Sequence, residues 1–355
     1  MLAIFRHWLG RTPDALQHAG ASVEIVPSPS APSAPSAPLD YVRFAEYDRE
    51  EREARLSELA PTGSDARELA RVGAQRVANR LPPLPAMAQQ AFAVLQNPHS
   101  RATDVAVVVN SHPAVAASVL KVATSGVYSG RKPVFTVSDA VARLGYGEVG
   151  RIAAGVAATP LFLRRLRSDL PAYEERFDTL WTHALATAFT AASVAIEHGF
   201  CDANEAFMAA LFHDIGKTVA LEGVVSELNL RTERGNPEPG PVEAHALAAV
   251  LEDLHTQIGH TALLGWKLPE SVCEVLRNLH ALSVPAGEYA AVTSVVRLVS
   301  GLNVIRTDPG HPVQAHTEVR VSASALRLDD RAITHIVATL RASAAKAADL
   351  RNNVH

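Results

Sequence analysis

From Leu84 onward the chain is a succession of aliphatic segments separated by glycine, proline and short polar breaks. Apolar residues return at intervals of three and four, as at Val115, Val119 and Val122, which is the spacing of one face of an α-helix. The pattern predicts helices over 84–96, 101–110, 113–126, 137–145 and 147–163, with Pro113 and the Ser138-Asp139 pair as fitting starts. A second helical block spans about 172–305, and Asp202-Ala-Asn-Glu205 reads as a capping-box start for the helix that leads into His213. Residues 222–241, which contain Arg-Gly-Asn-Pro-Glu-Pro-Gly-Pro, read as a loop. A last helix starts at Asp329 or Asp330 and runs to about Leu350. The aliphatic runs are too long and too rich in alanine for strands, and no alternating strand pattern with hairpin turns is seen. The expected fold class is therefore all-α.

The first 80 residues follow other rules. Leu2, Phe5 and Leu9 sit near helical spacing within residues 1–11, so this stretch reads either as an end packed on its own domain or as a weak peripheral docking helix for a membrane surface or a protein. It lacks the basic start, long apolar stretch and cleavage site of a signal peptide. Pro27 to Pro38, PSPSAPSAPSAP, cannot bury a core and reads as a disordered, extended Pro/Ser/Ala linker. Asp40 to about Glu58 is dense in alternating charge and reads as an exposed helix. The expected organisation is an N-terminal segment and linker over 1–39, a charged helical extension over 40–80, the main domain over 81–305, and a C-terminal helical tail over 306–355 that packs on its second half.

Composition narrows the function. Of 355 residues, 48% are hydrophobic but only 5% aromatic, so the core must be built from Ala, Val and Leu. The formal net charge of -4 gives no electrostatic footprint for nucleic acid. Two cysteines, Cys201 and Cys273, make no disulfide framework and fit a reducing compartment, so the expected location is the cytoplasm. No apolar run approaches the roughly 20 residues needed to span a bilayer, so no transmembrane segment is expected.

The chemistry centres on Leu211-Phe-His-Asp-Ile-Gly-Lys217. An apolar helix delivers His213 and Asp214 at its end, Gly216 permits a backbone break, and Lys217 lies one turn after His213. Adjacent imidazole and carboxylate groups can bind neighbouring sides of one cation, and a carboxylate that bridges two cations could polarise a water for attack on phosphorus. Further ligands must come from elsewhere. His183, Thr187 and Thr190 form one polar stripe on an otherwise apolar helix over 177–198. Buried polar groups require partners. A metal centre or polar pocket would supply them, and so would threonine hydroxyls bonded back to their own helix with a histidine meeting a carbonyl. His255, ahead of Gly259, and His280, at the end of the helix over 270–280, are the other candidates, whereas His245 and His260 read as surface or packing residues.

At these residues the chain resembles the HDOD family, a regulatory relative of the HD and HD-GYP metal-dependent phosphohydrolases. The resemblance runs through Leu81-Pro-Pro-Leu-Pro85, Pro113-Ala-Val-Ala-Ala-Ser-Val-Leu-Lys-Val-Ala-Thr-Ser125 and Ser138-Asp-Ala-Val-Ala-Arg-Leu-Gly145. It continues through Trp181-Thr-His183, His213-Asp-Ile-Gly-Lys217, His255 with Gly259, and Trp266-Lys-Leu-Pro-Glu270 leading to His280. It implies a two-lobed helical domain, with an N-terminal helical lobe over 81–165 and an HD-like lobe over 170–305. It also implies a role in bacterial signal transduction through signalling-protein partners, with a nucleotide as a further ligand. By the same resemblance His183, His213, Asp214, His255 and His280 fall on metal-ligand positions for a divalent cation (Fe, Mn, Zn or Mg), and Lys217 on the family's basic position. Asp214 and Lys217 would be the catalytic residues if the chain is an enzyme. Departures are visible. The closing Asp of the HD set is replaced by Ser300, a His-His pair is reduced to Leu279-His280, and the Gly-Tyr-Pro signature of the HD-GYP phosphodiesterases is missing. Two functional expectations follow: a non-catalytic regulatory module with a metal or nucleotide in its HD-like groove, and a metal-dependent phosphohydrolase acting on a nucleotide or cyclic dinucleotide.

Overall fold

The computed structural model describes residues 83–354 apart from 126–127, 129–132, 163–170, 234–243, 282–285 and 308–312, together with positions 68, 72, 73 and 76. The expectations for residues 1–11, the 27–38 linker, the 40–58 helix and the Leu81-Pro82 start lie outside the described residues. Among those described there are helices and no strands, in keeping with the all-α expectation.

The first lobe is built on α1 (Ala86–Gln96), α2 (Ala102–Asn110), α3 (Pro113–Thr124), α4 (Val137–Leu144) and α5 (Tyr146–Phe162). Thr136 caps α4, its hydroxyl accepting from the Asp139 backbone N–H at 3.1 Å while Asp139 accepts from the Thr136 N–H at 2.9 Å. The other four helices pack on α5, which is buried almost all round because its residues are small. At Gly155 a Cβ would stand only 2.7 Å from a methyl of Leu185, so glycine lets α5 lie close against the second lobe.

The second lobe is organised by α6 (Pro171–His198), which packs on α7 (Ala203–Phe212), α8 (Ile215–Glu233) and α11 (Ala290–Thr307). Completing it are α9 (Ala244–Gly265), α10 (Glu270–Asn278) and α12 (Val313–Ala325). One continuous apolar core, from Leu84 to Leu350, runs through both lobes.

Three expectations need correction. Residues 222–233 are not loop but the second half of α8, because the alternation of Val, Leu and polar residues there keeps helical spacing; positions 234–241 lie outside the described residues. Tyr173–His198 in α6 is long and apolar enough to cross a membrane by length and composition, contrary to the reading that no run approaches that length; 67% of its apolar window is buried inside the fold, as befits the central helix of a large core. The helix over 270–280 ends at Asn278, and His280 follows it in a turn.

The last helix, α13 (Asp330–Val354), lies along α6 and reaches α3 and α5 of the first lobe. Near its end Lys346 is buried between the lobes. Its ammonium bonds the Glu148 carboxylate of α5, approaches the Tyr128 hydroxyl at 3.3 Å, and sits 3.4 Å from the ring centre of Phe189 on α6. Arg151 grips the other Glu148 oxygen through Nε at 3.2 Å and Nη2 at 3.1 Å, and donates through Nη1 to Asn204 of α7 at 3.0 Å. Burial alone would push the Glu148 carboxyl up, but Lys346 and Arg151 together hold it at about 2. Burial lowers the Lys346 ammonium in turn, more than Glu148 restores it.

Candidate metal centre

The second lobe gathers its polar residues at the α7–α8 junction. Asp202 starts α7 by accepting the backbone N–H groups of Asn204 and Glu205, each at 2.9 Å. The helix then ends at Phe212, leaving His213 and Asp214 at the corner before α8 begins at Ile215. Gly216 does not break the backbone there, as expected from the sequence, but lies inside α8. Its function is space: a Cβ at this position would fall 1.8 Å from the His255 carbonyl oxygen and 2.7 Å from the Gly259 nitrogen. Two glycines facing each other allow α8 and α9 to touch backbone to backbone, which brings Asp214 and Lys217 against Glu252 and His255.

All five candidate ligands converge. His183 Nε2 lies 3.2 Å from His213 Nε2 and 3.7 Å from Asp214 Oδ2, while His213 Nε2 lies 3.5 Å from the same oxygen. The other Asp214 oxygen, Oδ1, faces His255 Nε2 at 3.6 Å. His255 Nε2 is 3.0 Å from His280 Nε2, which in turn is 3.6 Å from Glu252 Oε1. Two groups with metal-ligand spacing result, His183–His213–Asp214 and Glu252–His255–His280, with Asp214 presenting one oxygen to each. Lys217 does not stand apart from them: its Nζ is 3.0 Å from Asp214 Oδ2 and 2.7 Å from Glu252 Oε2.

Outer contacts aim these side chains. His213 Nδ1 is 2.7 Å from the Ala210 carbonyl and His255 Nδ1 is 2.7 Å from the Glu252 carbonyl, so in each ring Nδ1 is the donor and Nε2 carries its lone pair into the site. His280 Nδ1 meets Glu318 of α12 at 2.6 Å, and Gln314 donates to the same carboxylate at 3.0 Å. The polar stripe on α6 divides. His183 turns to the site, while Thr187 and Thr190 donate back to the carbonyls of His183 and Ala186, each at 2.8 Å.

Burial dominates the electrostatics. It pushes His183 down to about 3 and His255 down to about 4, and it lowers His213, so these rings stay neutral at ordinary pH. At His280 burial acts the same way, but Glu318 and Glu252 outweigh it and the ring is raised. Burial would raise the Asp214 carboxyl, yet His213, Lys217 and the other neighbouring rings hold it well below the usual carboxylate range. Neutral imidazoles with inward lone pairs beside an ionised carboxylate are the donor set that binds a borderline divalent cation, so the residues fit such a group.

The family model for the HDOD domain matches residues 81–282. The chain belongs to the HDOD family. Solved HDOD-like structures share its fold. An HDOD domain protein of unknown function from Geobacter sulfurreducens is 22% identical, covers 82% of this chain and 97% of its own, and superposes with a TM-score of 0.56. A proposed metal-dependent phosphohydrolase from Shewanella amazonensis SB2B is also 22% identical, with coverage of 79% and 99% and a TM-score of 0.54. A proposed signal transduction protein from Marinobacter aquaeolei VT8 is 21% identical, with coverage of 82% and 66% and a TM-score of 0.58. An uncharacterized protein of Treponema pallidum (strain Nichols) is 24% identical over 222 residues, a stretch that makes up 61% of this chain and 40% of that relative.

Beside Ser300, which the sequence marked as a departure, the HDOD domain brings Glu252, Glu318 and Asn303 to the site, which the sequence did not single out. Glu252 and Glu318 both face the histidines. Glu252 sits three positions before His255 on one helix face, a spacing that could have revealed it, whereas Glu318 comes from a helix 38 positions beyond His280 and has no local signal. Ser300, on α11, points its hydroxyl at His213 Nε2 from 3.1 Å. Asn303, one turn on, donates to the Thr187 hydroxyl at 3.1 Å and so braces the helix that carries His183. Among the doubtful histidines, His260 accepts from Arg277 at the surface at 2.8 Å, and the His245 side chain lies outside the described residues.

Proposed function

We propose that this HDOD protein is a bacterial, cytoplasmic signal-transduction module in which a divalent cation, Fe, Mn, Zn or Mg, is a conformational ligand rather than a catalyst. It would act through protein–protein contacts, with a nucleotide as a further ligand of the HD-like groove. His183, His213 and Asp214 would hold the cation, with Glu252, His255 and His280 as the neighbouring group. The observation that carries the reading is Ser300. A hydroxyl faces His213 where a further carboxylate would complete the ligand set, so the site has the donors to hold a cation but a reduced negative charge with which to retain and activate it.

The test is metal content joined to turnover. The purified chain is expected to retain a cation by elemental analysis and to leave bis-p-nitrophenyl phosphate intact in the presence of Mn. Asp214→Asn should lose the cation. Turnover that disappears in Asp214→Asn would instead establish the second reading, a metal-dependent phosphohydrolase acting on a nucleotide or cyclic dinucleotide. That reading draws support from the number of ligand-type side chains gathered here and from Lys217 in contact with Asp214. In it the cation would supply Lewis acidity towards phosphorus.

Ser300 gives a separate prediction. Ser300→Asp places a carboxylate beside His213 and is expected to tighten Mn binding by about tenfold or more in calorimetry. Unchanged affinity would put position 300 outside the ligand shell.

A further inference from the structure

We infer that Lys217 limits the centre to one cation, its ammonium standing in for the second. This deepens the reading above and rests on it. The two ligand groups share Asp214, a geometry that invites a pair of bridged cations. Yet the gap between the carboxylates of the two groups is already closed from within. Lys217 Nζ bonds Asp214 Oδ2 at 3.0 Å and Glu252 Oε2 at 2.7 Å, one carboxylate from each group.

Charge bookkeeping points the same way. The inner groups comprise two carboxylates, Asp214 and Glu252, one ammonium and four histidines, which bind a cation through ring nitrogens that carry no proton. One divalent cation leaves that set with a single excess positive charge. Two would leave three, in a socket where His213 and His255 are fully buried and Asp214 nearly so, and uncompensated buried charge is strongly unfavourable. Glu318 does not change the balance, since it serves His280 from behind and lies within the field of Arg297. In the Glu252 group Oε2 bonds Lys217 and His280 Nδ1 donates to Glu318, which leaves Oε1 and the two Nε2 atoms turned to the centre.

Replacing Lys217 by a neutral side chain frees both carboxylates and removes the resident charge. Manganese stoichiometry, measured by elemental analysis after dialysis and by calorimetry, is expected to be one per chain in the native protein and two in Lys217→Met. Lys217→Arg, which keeps the charge, should remain at one. If Lys217→Met does not stay folded, Lys217→Gln carries the same test, because its amide can still donate to the carboxylates without charge. Two cations in the native protein, or one in the folded neutral variant, overturns the inference while leaving the metal centre in place. No cation in either folded protein overturns the metal centre itself.

Discussion

Gly216→Ala is expected to dismantle the centre without touching a single ligand. Alanine normally favours a helix over glycine by roughly 1 kcal/mol, so at an open position in α8 the change would stabilise. Here the added methyl would stand 1.8 Å from the carbonyl oxygen of His255. The obstacle is backbone, which cannot rotate aside, so α8 and α9 must separate. Overpacking of this kind costs about 1–3 kcal/mol and sometimes more. A domain of this size loses about 2–4 °C of Tm per kcal/mol, so the melting temperature should fall by several degrees. The larger effect falls on the site. Asp214 stands just before α8 and Lys217 within it, Glu252 and His255 lie on α9, and their contacts span only 2.7 to 3.6 Å. Retained cation should therefore fall far more than stability does. Gly259→Ala is the control. Its Cβ meets a Leu276 methyl at 2.8 Å, a side chain that can yield, and the Gly216 nitrogen only at 3.1 Å. Its effect should be clearly smaller, and equal effects would remove the special standing of Gly216.

That pair of glycines also marks how far the sequence could be read. The helices of the first lobe were legible to within a few residues, because Val115, Val119 and Val122 repeat on one face and turn residues separate the segments. The histidines that converge on the candidate centre were legible through their order along the chain. What escaped were features set by approach between elements. Gly216 looks like a hinge until α9 is placed against it. Glu252 stands beside Asp253, and its spacing of three from His255 marks it as the inward acid only once His255 is known to face the site. Glu318 became visible only when α12 folded back over His280. The 222–233 segment read as loop because the Pro- and Gly-rich residues after it coloured the whole stretch.

The second large effect is expected at the joint between the lobes. Lys346→Met leaves the Glu148 carboxylate buried with one cation fewer, and removing one partner of a buried ion pair costs about 3–5 kcal/mol. With the size dependence above, Tm should drop by roughly 10 °C. The double variant Glu148→Gln/Lys346→Met should recover part of that loss, since no carboxylate is left without Lys346 and Arg151 keeps its bond to Asn204; strictly additive losses in the double-mutant cycle would show that the pair is not coupled. Acid provides an independent check. Glu148 is held at about 2, below its ordinary value of 4.5. A depressed carboxylate stabilises the fold above its unfolded pKa, and the contribution disappears as pH falls from there towards 2. A difference of this size corresponds to on the order of 3 kcal/mol. Thermal melts between pH 5 and pH 2 should therefore be less steep in Glu148→Gln than in the native protein, and identical slopes would refute the assignment.

The same joint has a bearing on biosynthesis. Lys346 is made 198 residues after Glu148. At the usual pace of translation, about 5–20 residues per second, the first lobe leaves the ribosome roughly ten to forty seconds before its final counter-charge exists. Throughout that interval Glu148 has only Arg151 and Tyr128 for company, and the face of α6 beneath Phe189 awaits α13. A nascent chain stalled within α13 would therefore present a nearly complete but unsealed domain, a form open to chaperones and proteases that the finished protein excludes.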